Sequence, residues 1–179
     1  MKRILYVTAA VTAFLLCACG RDEYRIHGRV VSNELEGVKV FLVPVGHGER
    51  ENVDSVLIHN HEFEFRGNRH WMCTVRLIAH ERAKGQDLLV ATEPGDIYVT
   101  IGPESTGGGT PQNDSLQVWK NLTVASNKAW AEMMSAGRKE LADSSRAVYR
   151  NRSREMALAV GEESILGEFL LNMFPKPEE

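Results

Sequence analysis

The chain has 179 residues, a net charge of −3 and 43% hydrophobic residues. That length suits one ordinary domain with a core of its own. The mild acidity excludes a general nucleic-acid binder, which carries a basic balance, and after residue 20 no apolar run is long enough to cross a bilayer as a helix.

Residues 1–18 read as a signal peptide. Lys2 and Arg3 precede an apolar run, residues 4–16, too short to span a membrane but suited to a signal h-region. The run closes in Leu16-Cys17-Ala18-Cys19-Gly20, which resembles a bacterial lipobox. The resemblance implies cleavage before Cys19 and lipidation of its thiol, leaving 19 basic against 24 acidic side chains. Each buried methylene contributes ~0.8 kcal/mol, so several acyl chains hold a protein on the membrane essentially permanently. The expected address is the outer membrane, lipid-anchored, facing the periplasm or the cell surface. Residues 19–23 form the tether. Gly20-Arg21-Asp22-Glu23 resembles the surface-export signal of Bacteroidota lipoproteins; it reads equally as a short solvated linker. With Cys17 removed and Cys19 lipidated, Cys73 is the one thiol left, so no intramolecular disulfide is expected.

Residues 24–102 alternate apolar and polar positions over about seven short stretches, 24–31, 38–45, 53–59, 62–67, 71–79, 88–92 and 97–101. Such spacing predicts an antiparallel β-sandwich. The stretches 53–59 and 62–67 are expected to pair as a hairpin, and Trp71, Cys73, Val75 and Leu77 share one face of the fifth. Turn chemistry separates the strands at Lys84-Gly85, Pro94-Gly95-Asp96 and Gly102-Pro103. Residues 103–113 are a Gly-rich loop. From 114 to 174 the period becomes helical, with Leu116, Trp119, Leu122, Ala129, Trp130 and Met133 near one face. Asn113 or Asp114 is the expected cap. A break is expected near Gly137 or at Asp143-Ser144-Ser145, and a last helix ends before Pro175. Residues 175–179 are a tail.

Several clusters invite a chemical reading, each with a plainer one beside it. His59-Asn60-His61 places two imidazoles two residues apart, on one face of a strand. No third or fourth ligand follows from spacing, and a tight turn with positive φ explains the triplet. No metal site is therefore assigned. Cys73 sits in an apolar strand and reads as a buried inert thiol; the alternative is an exposed thiol that pairs with a partner. Gly107-Gly108-Gly109-Thr110 lacks the Lys-Ser/Thr ending of a P-loop and reads as a flexible connection. Arg146, Arg150 and Arg154 fall at i, i+4 and i+8, one stripe of a helix, and form a candidate surface for an acidic partner or anionic headgroup. A solvated face with local pairs to Asp143 or Glu155 is the alternative. Asp54-Ser55-Val56 and Asp114-Ser115-Leu116 resemble an O-glycosylation acceptor of Bacteroidota, while an Asp at a turn or helix start is also a routine cap. No catalytic motif can be pointed to.

Taken together, Ile26-His27-Gly28, Val40-Phe41-Leu42, Asp54-Ser55-Val56, Phe63-Glu64-Phe65-Arg66-Gly67, Glu93-Pro94-Gly95-Asp96-Ile97, Gly109-Thr110-Pro111-Gln112-Asn113-Asp114 and Ile165-Leu166-Gly167-Glu168-Phe169-Leu170-Leu171 are similar to a known family. It is the domain of unknown function found at the N-terminus of Bacteroidota thiol:disulfide interchange lipoproteins, ahead of a thioredoxin-like domain of the TlpA/ResA and AhpC/TSA group. The sequence ends where that second domain would begin and has no Cys-x-x-Cys, so the resemblance does not carry over thiol exchange, which uses two vicinal thiols.

The expectation is an α+β protein, an N-terminal β-sandwich followed by C-terminal helices, acting without catalysis or cofactor. It would be an envelope lipoprotein that binds a protein partner, such as a thioredoxin-like protein, or a glycan. The alternative is the N-terminal part of a split or degenerate thiol:disulfide oxidoreductase that needs a separate thioredoxin-like subunit.

Overall fold

The computed structural model describes residues 22–175; the expected signal peptide, Cys19 and residues 176–179 lie outside them. Eight strands come first: β1 (Tyr24–Val30), β2 (Lys39–Pro44), β3 (Asp54–Leu57), β4 (Glu62–Gly67), β5 (Met72–Leu77), β6 (Leu88–Ala91), β7 (Gly95–Ile101) and β8 (Thr106–Gly108). Three helices follow, α1 (Pro111–Ser135), α2 (Lys139–Val160) and α3 (Ile165–Met173). The strands form two sheets of four, β4-β1-β7-β8 and β3-β2-β5-β6. The fold is the expected α+β class, with the sandwich ahead of the helices.

Four details depart from the sequence expectation. The Gly-rich stretch is not wholly loop: Thr106–Gly108 pairs with Tyr98, Val99 and Thr100 as an eighth, edge strand. The sandwich is not wholly antiparallel, because β1 and β7 run parallel from Tyr24↔Gly95 to Val30↔Ile101. The chain returns to the first sheet after two strands of the other, β5 and β6, and β7 enters beside β1 from the same end. β3 and β4 do not form a hairpin ladder. They belong to different sheets and share only the His59↔Glu62 bridge, since buried Ile58 draws the chain through the core as it turns from one sheet to the other. Finally, α1 starts at Pro111 rather than at 114, with proline at the position that needs no amide hydrogen.

The sandwich core lies between the sheets. Alternation supplies it: Tyr24, Ile26 and Val30 of β1, Phe63 and Phe65 of β4, Ile97, Val99 and Ile101 of β7 face Val40, Leu42, Cys73, Val75 and Leu77 of the other sheet. Gly28 takes an inward position because the Phe63 ring lies over it; a Cβ there would stand 2.1 Å from ring carbons.

A second core lies on the outer face of the β3-β2-β5-β6 sheet. Met72 and Ala91 meet Leu116, Trp119, Ala157, Leu166 and Leu170 of the helices. The Trp119 indole donates to Ser153 Oγ at 3.1 Å, and its ring meets Phe169 and Phe174 edge-on. The outer face of the β4-β1-β7-β8 sheet has no such cover and keeps alternating burial along β1 and β4.

Candidate functional site

Two motifs far apart in sequence build the joint between sandwich and helices. Glu93, nearly buried, accepts from the Gln112 and Asn113 amides at 2.7 and 3.3 Å and from the Gln112 side-chain amide at 3.1 Å. A carboxylate thus caps α1 from across the fold, satisfying amides that a helix start leaves unpaired. Asn113, expected as a cap, is instead buried and pairs with both backbone groups of Ala91, accepting from its N–H at 3.0 Å and donating to its carbonyl at 2.8 Å. It closes the end of edge strand β6 as another strand would. Gln112 Oε1 accepts from the Leu166 amide at 2.9 Å, so one network holds α1 and α3.

Asp114 accepts from the Gly109 amide at 2.8 Å, and Gln117 from the Gly107 amide at 2.9 Å. The glycine amides are occupied by the chain's own side chains and do not form a phosphate cradle. Ser115 Oγ donates to the Pro111 carbonyl, a helical position. Asp54 accepts from the Ser55 amide at 2.7 Å on an exposed strand.

From this joint α1 runs the height of the sandwich. Its Lys120 ammonium donates to the Ser105 carbonyl at the opposite end, where Ser105 bonds Gln86 and Gly102. Burial lowers the Lys120 pKa. Residues 121–135 continue beyond for roughly 22 Å, at 1.5 Å per residue. The helix turns at Gly137, in the left-handed region at φ 71°, which is the first of the two expected breaks, and α2 returns alongside. No residue from 121 to 141 is buried. The two helices form an arm, held within itself by Thr123 to Tyr149 at 2.9 Å.

The arginine stripe lies on this arm and its base. The three side chains have different employments. Arg146 stacks over the Trp130 ring of α1, its guanidinium carbon 3.9 Å from the centroid. Arg154 donates to the Phe174 and Pro175 carbonyls at 3.1 and 3.0 Å and to Asn151 at 2.9 Å, closing the end of α3. Arg150 is exposed. Among the described residues none of the three is ion-paired with Asp143 or Glu155. Residues 124–155 hold seven Lys/Arg against four Asp/Glu, whereas the rest of the described chain holds ten against eighteen. A basic arm therefore stands on an acidic body.

Elsewhere, Asn60 and His61 both take positive φ, 53° and 64°, and the triplet is a turn. Glu36 holds it, accepting from the Asn60 and His61 amides at 2.9 and 3.1 Å and lying 3.2 Å from His59 Nδ1. Those amide hydrogen bonds keep the Glu36 carboxyl below its ordinary pKa. No group of three His, Cys, Asp or Glu is placed to hold a metal among the described residues. Cys73 is buried, and loss of solvent pushes its thiol up to about 12. On the open sheet face His27 stacks on Tyr98 and lies 3.0 Å from Asp96 and 3.7 Å from Glu64. Sequence reading missed this group, because alternation marks its members only as outward-facing.

The fold and the joint define a class: a β-sandwich with one sheet covered by docked helices, two of which continue as an arm. Residues 24–116 match the family described as a domain of unknown function, DUF4369, and the chain belongs to that family. No curated protein and no solved structure matches it. No described helix is long and apolar enough to cross a membrane.

Proposed function

We propose that the protein is a non-catalytic lipoprotein of the cell envelope, anchored in the outer membrane by lipid on Cys19, that uses its helical arm as an interaction module. The observation that carries this reading is the arm itself. It leaves the body with no residue from 121 to 141 buried, and it reverses the charge of the domain that bears it. An acidic partner is attracted to such a surface over a Debye length of ~8 Å at physiological salt. Arg150 is exposed on it, and Arg146 is presented on Trp130. The partner class is a protein, with a glycan as the other occupant of a surface that mixes aromatic and charged groups.

The test is crosslinking of the lipidated protein in native envelopes, followed by identification of what it captures, with Arg150→Glu beside it. A discrete partner lost in the variant supports the arm as the docking surface. Capture unchanged by charge reversal removes the arm from the reading.

The resemblance of the sequence motifs favours a second reading. The resemblance to Bacteroidota thiol:disulfide interchange lipoproteins pairs this domain with a thioredoxin-like one, so the chain would serve a separate subunit of that kind. Recovery of a thioredoxin-like protein in the same experiment favours it. Because it lacks the two vicinal thiols that exchange uses, the domain alone is expected to be inactive in insulin reduction; robust activity would refute both readings.

A further inference from the structure

We propose that the groove between β5 and α3 rests on the headgroup layer of the bilayer that carries the lipid anchor, so that the arm points away from the membrane. This rests on lipidation of Cys19. The argument begins with where the tether leaves the body. The Asp22 carboxylate lies 3.0 Å from His70 Nε2, while His70 Nδ1 is 2.7 Å from the Thr92 carbonyl. The Glu23 carbonyl accepts from the Gly95 amide at 3.0 Å. The chain is therefore held to the sandwich as far back as Asp22, and Cys19 lies three residues before it. Three extended residues reach at most ~10 Å, about the thickness of one layer of side chains. A domain on so short a leash has its tether end against the headgroups.

The surface at that end suits the contact. His70 lines a groove with Val45, His47, Trp71, Phe169 and Met173. Val45 is 42% and Met173 50% exposed. Trp71 stacks with His47 and lies beneath the Arg69 guanidinium at 5.4 Å. Tryptophan with a polar rim is the side chain most at home at a membrane interface, and arginine reaches phosphate from an apolar bed. The other wall carries Glu163 and Glu168. Both signs are thus present, which matches a zwitterionic headgroup with its phosphate and ammonium rather than a strongly anionic surface. Because α1 starts at this end and passes Ser105 at the other, the same placement puts Gly137 farthest from the bilayer.

Spin labels decide it. The lipidated protein is reconstituted in phosphatidylethanolamine–phosphatidylcholine vesicles as Val45→Cys and, separately, Leu141→Cys, both exposed positions; Cys73 is buried and stays unlabelled. The expected result is a label at 45 that is several-fold more accessible to oxygen than to a water-soluble nickel chelate, and a label at 141 that is open to the chelate. Equal chelate access at both positions, in protein that remains vesicle-bound, overturns this inference and leaves the lipidation reading standing. Protein that does not float with the vesicles overturns both.

Discussion

The two sheets of the sandwich have opposite second faces. In β5 five of six residues are buried, whereas β1 alternates buried and outward positions along its length. The difference follows from the helices. They dock through Met72, Ala91 and Trp119 on one sheet and leave His27, Tyr98 and Thr100 of the other uncovered. One sheet is thereby a two-sided core element, and the other supports the core with one face only. The joint at Glu93 and Asn113 is what commits the helices to their side.

The sharpest way to break the comparison is Trp119→Ala. It removes the largest side chain of the helical core, and a buried aromatic truncation costs ~3–5 kcal/mol. Urea unfolding should show the loss, with the sandwich strands retaining more amide protection than α2 and α3. Gly28→Ala tests the inner core from the covered side of β1. The added methyl collides with the Phe63 ring, and overpacking costs ~1–3 kcal/mol; a neutral result would mean that Phe63 swings away freely. Glu93→Gln keeps the shape but weakens a charged cap that serves two amides. A loss of ~1–2 kcal/mol is expected, together with faster amide exchange in the first turn of α1. A variant as stable as the parent would sink the capping role.

Glu36→Gln is smaller and reads through pH. The folded carboxyl has a lowered pKa, so its contribution is fully present above the unfolded value of ~4.3 and is lost as pH falls through the folded one. The parent should therefore lose stability in acid more steeply than the variant in that window, and superimposable pH profiles would rule the turn clamp out. Tyr98→Ala is the smallest. It stands on the open face, 58% exposed, and should shift stability by no more than ~0.5 kcal/mol. A loss as large as that from Trp119 would show that this face is covered after all.

Much of this was legible in the chain. The strand run and the break at Gly137 follow from local chemistry. The histidine triplet was readable as a turn for the same reason, since Asn and His tolerate positive φ. The non-alternating β5 carried a signal as well: Met72 and Thr74 mark a face that something must cover. Its cover was not legible, because nothing in Met-Cys-Thr-Val-Arg-Leu says which of the later helices will pack there. The arginine stripe was legible as a stripe and illegible as chemistry. Trp130 and the end of α3, which engage Arg146 and Arg154, come from other elements.

By itself the sequence determined the class of fold and the order of its elements. Periodicity, turn residues and short motifs act over a few residues, and those properties need no more. Only the tertiary structure decided the parallel pairing of β1 with β7, the separation of β3 from β4, and the capping of α1 by Glu93. Each depends on contacts between residues roughly twenty to seventy positions apart, which form only when the hydrophobic faces of whole elements find each other.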